Sequence, residues 1–189
     1  MKFLKWFGLI LLVLIIVYLL GPKPSKPKYS LVMPAIPAEP AALEGFIKNQ
    51  ESKHKLKPDN EARIIWMNDS VKQKTEYAVV YLHGFSASQE EGDPVHYEFA
   101  QQFGCNLYLS RLDAHGVDTT DPLASFSATG LWESAKEAYA IGKQLGKKVI
   151  LLSTSTGGTV ALKLAAEYPD IAGLILLSPN IAINDPNAW

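Results

Sequence analysis

The chain has 189 residues, of which 48% are hydrophobic and 20% charged, and its formal net charge is −1. This length and apolar content can bury one hydrophobic core, so they exclude a disordered polymer. Five of the 18 basic residues and none of the 19 acidic residues lie within residues 1–30. The remaining chain is therefore acidic, which argues against a protein that binds nucleic acid.

An uncharged apolar run spans residues 6–20, and Lys2 and Lys5 precede it. Such a run is typical of a membrane anchor or a signal peptide. No Ala-x-Ala-like processing site follows it, and Gly21 is succeeded by a Pro-Lys-Pro sequence. We therefore predict that residues 1–21 form a single-pass membrane anchor, or an uncleaved signal. Lysines lie on both sides of the run, so the sequence leaves the orientation open.

Six prolines lie within residues 22–40, a density typical of an extended, semi-rigid linker. We predict that these residues are a Pro-rich linker and that the folded domain covers residues 41–189.

Beyond the linker, short apolar runs of strand length alternate with amphipathic runs of helix length. The predicted strands cover residues 63–67, 77–82, 107–109, 149–152 and 171–177, and the predicted helices cover residues 42–53, 95–103, 131–145 and 157–168. Continuous apolar strands alternating with helices indicate an α/β fold with a mostly parallel sheet and helices on both faces.

A polar turn, Ser-Thr-Ser-Thr-Gly at residues 153–157, joins the strand 149–152 to the helix that follows. A hydroxyl at such a junction is typical of a nucleophile elbow, whose usual pattern is Gly-x-Ser-x-Gly. Serine replaces the first glycine here. Two other interpretations fit this stretch alone. The side chains could simply cap the helix, or the loop Ser153–Gly158 could bind phosphate or a flavin, as in flavodoxin-like folds.

Three candidate residues, His83, His115 and Ser155, each follow the end of a predicted strand. Ligand and active sites of parallel sheets form at the carboxyl ends of the strands. The three side chains are therefore expected at one edge of the sheet.

From about Glu61 to Pro179 the chain resembles the first half of an α/β-hydrolase. His83-Gly84-Phe85 resembles the turn after the third strand of that family, and Asp113-Ala114-His115-Gly116 resembles the Gly-His-Gly loop after the fourth. Residues 153–157 resemble the elbow after the fifth. The order of the three motifs favours the elbow over a phosphate loop, because flavodoxin-like loops follow the first strand of a sheet.

The resemblance implies a serine hydrolase acting on carboxylic esters, with Ser155 as the nucleophile. It also implies that the backbone N–H groups of Phe85 and Thr156 form the oxyanion hole. A small-molecule or lipid ester would be the substrate, and no cofactor would be needed. An aminopeptidase or thioesterase on the same fold, or a non-catalytic member that binds an acyl or lipid ligand, remains an alternative.

In this family the triad acid and then the histidine base follow the serine along the chain. All four histidines of this sequence precede Ser155. The only aspartates that follow it are Asp170 and Asp185, and one glutamate, Glu167, lies in the elbow helix. We therefore expect the triad acid and base outside this chain. The chain would then be the N-terminal portion of a hydrolase, cut after about the sixth strand and inactive by itself.

The remaining candidates are predicted to be structural. His83 should hydrogen-bond within its turn and His115 should shape its loop, whereas His54 and His96 should be solvated. No spacing among these histidines suggests a metal site. Cys105 is expected to be a small core residue, and Trp132 is expected to pack in the core or at its rim. Ser153, the nearest rival to Ser155, should pack against the sheet.

Overall fold

The computed structural model describes residues 2–21 and 26–182. Its helices are α1 (Lys2–Leu20), α2 (Pro40–Glu51), α3 (Val95–Gln102), α4 (Ala128–Leu145) and α5 (Thr156–Glu167). Its strands are β1 (Arg63–Ile65), β2 (Thr75–Leu82), β3 (Asn106–Leu109), β4 (Gly146–Thr154) and β5 (Gly173–Leu177), and a 3-10 turn spans Gln89–Gly92. Residues 22–25 of the predicted linker and residues 183–189 of the predicted domain lie outside the described residues.

The strands form one sheet in the order β1-β3-β2-β4-β5. The pairs β3–β2, β2–β4 and β4–β5 are parallel, and β1 is antiparallel to β3. The predicted mostly parallel sheet is therefore confirmed. The described residues contain five strands rather than about six, because none of them forms a strand before β1. The turn at residues 153–157 consequently follows the fourth strand of this chain.

Both faces of the sheet are buried, as the apolar strands predicted. Along β2, Ala78, Val80 and Leu82 belong to one core cluster with α2, α4 and α5, while Val79 and Tyr81 belong to a second cluster with α3. This alternation is the two-residue period of a strand. Cys105 and Trp132 are both buried, as expected.

Residues 28–36, here called the strap, lie against α4 and α5 although they fall within the predicted linker. Three side chains donate to carbonyl oxygens of the strap: Trp132 Nε1–H to Ser30 at 2.7 Å, Tyr168 O–H to Leu31 at 2.9 Å and Lys136 Nζ to Val32 at 2.9 Å. Met33 and Ile36 pack against the core. The strap, which is part of the predicted Pro-rich linker 22–40, is therefore held on the domain through its carbonyl groups and apolar side chains.

Among the described residues, one helix is long and apolar enough to cross a membrane. It is the Phe3–Leu20 part of α1, with a mean hydropathy of 2.6 and no buried residue. This length and composition fit a membrane anchor and a signal sequence alike.

Candidate active site

Ser155 lies at the junction of β4 and α5 in a strained backbone conformation. Its φ is 50° and its ψ is −115°. Residues other than glycine avoid this region, at a cost of about 1–3 kcal/mol, unless the surrounding structure enforces it. Here the enforcement comes from the end of β5. Ser155 N–H donates to Leu177 O at 3.0 Å, and Ser155 O accepts from Asn180 N–H at 3.0 Å.

The turn also brings α5 very close to the end of β2. A Cβ atom added at Gly157 would lie 2.0 Å from Leu82 O and 2.7 Å from His83 O, so only glycine fits. Ser153, at the position of the first glycine of the usual pattern, is fully buried, and its Oγ has no hydrogen-bond partner within the described residues. Ser153 is thus a buried residue of β4, and a Cβ atom added at Gly158 of α5 would lie 3.7 Å from its Oγ.

The turn after β2 lies against the side of Ser155. A Cβ atom added at Gly84 would be 3.3 Å from Ser155 Cβ. Within residues 26–182, the backbone N–H groups of Phe85 and Thr156 have no acceptor. Thr156 is the first residue of α5, where an N–H group has no partner within the helix and the helix dipole favours negative charge. A hydroxyl on a strained backbone near two unpaired N–H groups supplies a nucleophile and oxyanion donors, two of the parts that acyl transfer requires.

His83 holds the turn that carries the Phe85 N–H group. Its Nε2 accepts from Leu112 N–H at 3.1 Å, so its Nδ1 carries the proton and donates to Gly84 O at 2.9 Å. That carbonyl belongs to the same peptide group as Phe85 N–H, and the bond therefore fixes the direction of the N–H. Burial lowers the pKa of His83 to about 4. The predicted structural role of His83 is confirmed.

We expect stability to fall as the pH is lowered from about 6.5 to 4, because an unfolded chain binds a proton at His83 that the folded protein excludes. The contribution is complete above pH 6.5 and declines by about 1.4 kcal/mol per pH unit below it. Urea unfolding at several pH values in this window measures the slope.

A His83→Asn variant is the control for this slope, since it removes one titrating group. Burial also lowers the pKa of His96 and of His115, so in the variant these two groups still contribute to the dependence of stability on pH. Identical slopes in the two proteins would contradict the role given to His83.

His115 shapes the loop after β3, as predicted. Its Nε2 accepts from Ser86 N–H at 3.0 Å and its Nδ1 donates to Asp113 O at 2.7 Å, so the ring ties this loop to the turn after β2. Ala114 has a φ of 60°, which explains why a glycine is usual at this position. Both ring nitrogens of His115, like those of His83, are engaged by backbone groups.

The prediction for His96 is wrong, because its side chain is fully buried rather than solvated. Its Nε2 lies 2.8 Å from Gln89 O, and its ring packs edge-on against Tyr81 at 4.8 Å between centroids. The physical reason is Gly92. A Cβ atom there would lie 2.4 Å from the His96 ring, so the missing side chain makes room for it. His54 is exposed, as expected.

Sequence reasoning missed Glu91, which binds the same turn from the side. Gly84 N–H donates to Glu91 Oε2 at 2.7 Å. The Tyr81 hydroxyl lies 3.4 Å from that oxygen and 2.9 Å from Thr154 Oγ1, directly before Ser155, and burial raises the pKa of Tyr81 to about 12. No spacing in the sequence could have indicated these contacts, because Glu91 reaches the turn through the fold.

A cavity of about 540 Å³ opens beside this turn. Its lining includes Ser86, Ser88, Glu91, His115 and Leu123. The cavity therefore offers both polar and apolar groups beside Ser86, the residue that follows Phe85 in the chain. No group of three or more His, Cys, Asp or Glu side chains within the described ranges could hold a metal ion.

Of the two aspartates that follow the elbow, Asp170 is the one that the structure describes, and it does not approach Ser155. Asp170 lies beyond the far end of α5, where it accepts from Lys143 Nζ at 2.7 Å, and this hydrogen bond lowers its pKa. Asp185 lies outside the described residues.

The chain matches a family of hydrolases and a lipase. The family model described as serine aminopeptidase, S33, matches residues 73–189. A thermostable monoacylglycerol lipase of Bacillus sp. (strain H-257) is 30% identical over 108 residues, which are 57% of this chain and 42% of that enzyme. The chain thus spans less than half the length of this curated relative.

Two solved structures are similar to this chain, and the first shares its fold. A structure of the metagenome-derived lipolytic enzymes LipS and LipT has a TM-score of 0.57 and 19% identity, over 70% of this chain and 51% of that chain. A Pyrococcus furiosus esterase has a TM-score of 0.44 and 18% identity, over 67% and 47% of the two chains. Since the family model covers more than half of the chain, this protein belongs to the serine aminopeptidase S33 family of the α/β-hydrolase superfamily.

Proposed function

We propose that this protein is a serine hydrolase that cleaves carboxylic esters through an acyl-enzyme on Ser155. The observation that carries the proposal is the strained backbone of Ser155, with a φ of 50° between a strand and a helix. Such strain at a strand-to-helix turn lifts a serine hydroxyl clear of the sheet, as nucleophilic catalysis requires.

In the proposed reaction, Ser155 Oγ attacks the acyl carbon and gives its proton to a general base. The N–H groups of Phe85 and Thr156 hold the developing oxyanion, each contributing about 3 kcal/mol. Collapse of the intermediate expels the alcohol, which takes the proton from the base. Water then hydrolyses the acyl-enzyme by the reverse sequence of proton transfers.

The general base in this proposal is none of the histidines at the site. Both ring nitrogens of His83 and of His115 already bond backbone groups, so neither can accept the Ser155 proton without breaking the turn. We propose that the triad acid and base lie outside residues 1–189, which agrees with the order of triad residues in α/β-hydrolases.

The proposed substrates are lipid esters of a single acyl chain. The relative named as a monoacylglycerol lipase and the neighbours described as lipolytic support this class. A second candidate, cleavage of an aminoacyl amide, is favoured by Glu91, whose exposed carboxylate lines the cavity and could pair with a substrate ammonium group.

The two candidates are separated by a substrate panel offered to the full-length protein. The panel contains a monoacylglycerol, an aminoacyl nitroanilide with a free amine, and the same anilide acetylated. We expect turnover of the ester alone. Turnover of the free-amine anilide alone would instead support the aminopeptidase. A flavin absorbance without any turnover would contradict both and restore the phosphate-loop interpretation of residues 153–158.

A further inference from the structure

The direction of α4 relates the strap to the edge of the sheet that bears Ser155. The last residue of α4, Leu145, is followed at once by Gly146, the first residue of β4. The end of α4 therefore lies at the amino edge of the sheet and its first turn lies near the carboxyl edge. The loop after β3 agrees with this, because Ser127 N–H donates to Asp113 Oδ2 at 3.2 Å.

The strap runs alongside α4 in the same direction. Its first residue, Lys28, donates its backbone N–H to Thr129 Oγ1 at 2.9 Å, in the first turn of α4. Val32 O accepts from Lys136 Nζ at 2.9 Å, two helical turns further along. The strap thus descends from the carboxyl edge, and the chain before Lys28 leaves the domain at the edge where Ser155 lies.

The connection from this point to α1 is short. Seven residue steps separate Gly21 from Lys28, and an extended chain spans at most about 3.6 Å per residue, so the connection reaches no more than about 25 Å. A bilayer that holds α1 would therefore have its surface close to the carboxyl edge of the domain.

The chemistry of this edge suits a membrane surface. Lys26 and Lys28, in and next to the connection to α1, are exposed and positively charged, which favours an anionic bilayer at that point, although the loops after β2 and β3 also expose the acidic side chains of Glu90 and Asp121. Phe85 and Ile181, which follow the carboxyl ends of β2 and β5, expose 51% and 71% of their surface. Apolar and basic side chains together are typical of surfaces that lie at lipid headgroups.

We propose that the strap fixes the domain with its carboxyl edge against an anionic lipid bilayer into which α1 inserts. The candidate active site then faces the lipid surface and takes its acyl substrate from it. The assignment of a lipid substrate rests on the proposed function, whereas the orientation rests only on α1, the strap and the exposed side chains of the edge.

A quenching experiment on the full-length protein tests the orientation. The protein is placed in vesicles of phosphatidylcholine and phosphatidylglycerol that carry a nitroxide on some headgroups. A fluorophore is attached to a single cysteine in a Cys105→Ala background, either at the carboxyl edge (Ile181→Cys) or at the amino edge (Gln73→Cys). We expect loss of fluorescence at position 181 and none at position 73. Equal loss at both positions, loss at 73 alone, or loss at neither would overturn the proposal.

Lengthening the connection is the matched control. About a dozen Gly and Ser residues inserted after Ser25 make a flexible tether and leave the strap intact. The loss of fluorescence at position 181 should then shrink towards that at position 73, and an unchanged loss would show that the short connection does not set the orientation. Reaction of Ser155 with a fluorophosphonate is followed in the same samples. Quenching at position 181 without that reaction would contradict Ser155 as the nucleophile and would still support the proposed orientation.

Discussion

Replacing Ser155 with alanine is expected to abolish both ester turnover and fluorophosphonate labelling of the full-length protein. The Ser155 Oγ is the atom that would bond to the acyl carbon, and in the variant no neighbouring group takes over this attack. The loss in kcat should be about 10⁶-fold, comparable with the loss of the serine in other acyl-transfer enzymes. Peptide mass spectrometry of the labelled protein locates the adduct.

Ser153→Ala is the matched control for this prediction. The Ser153 hydroxyl is buried without a hydrogen-bond partner in the described structure, so its removal should preserve labelling and leave stability unchanged or slightly raised. An adduct on Ser153, or labelling that survives in Ser155→Ala, would show that the nucleophile has been misassigned.

Gly157→Ala should destabilise the protein by about 3 kcal/mol, the upper end of the usual range for overpacking, because the added atom would meet backbone rather than a side chain that can turn away. The added Cβ would lie 2.0 Å from Leu82 O, a backbone atom at the end of a central strand. Either β2 or α5 must move, and both carry residues of the proposed site. Thermal unfolding measures the change.

The same substitution at Gly45 is expected to raise the stability of the protein. Gly45 lies within α2, and nothing is within 4 Å of an added Cβ there. Alanine in a helix interior is better than glycine by about 0.5–1 kcal/mol. A Gly157→Ala protein as stable as Gly45→Ala would mean that the close approach at the elbow is absent in solution.

Most strands and helices could be predicted because each is encoded by its own apolar period. β4 is an exception, because its first residues have no such apolar pattern. It begins at Gly146 instead of residue 149, since Thr75 and Tyr77 of β2 pair with Gly146 and Lys148. Pairing with a neighbouring strand extends β4 into residues that carry no apolar signal of their own.

The proposed nucleophile was predictable for a similar reason, because the elbow is a local sequence of strand, turn and helix. The contacts of Glu91 and the burial of His96 were not predictable. They depend on Gly92 and on Tyr81, which the fold brings to one place. The prolines of the linker predicted that the strap is extended chain. No sequence pattern within residues 28–36 indicates that the strap binds α4 and the end of α5.

The strap also has a consequence for the order in which the chain assembles. Its partners Trp132, Lys136 and Tyr168 lie 102, 104 and 137 positions later in the chain than the carbonyl groups they bind. During synthesis these carbonyls leave the ribosome first and must wait until α5 is complete. We therefore expect docking of the strap to be a late folding step. A protein begun at residue 41 would lack this step, and the Trp132 indole and the Tyr168 hydroxyl would lose their acceptors, whereas the Lys136 amine would keep its contact with Glu133 at 2.9 Å.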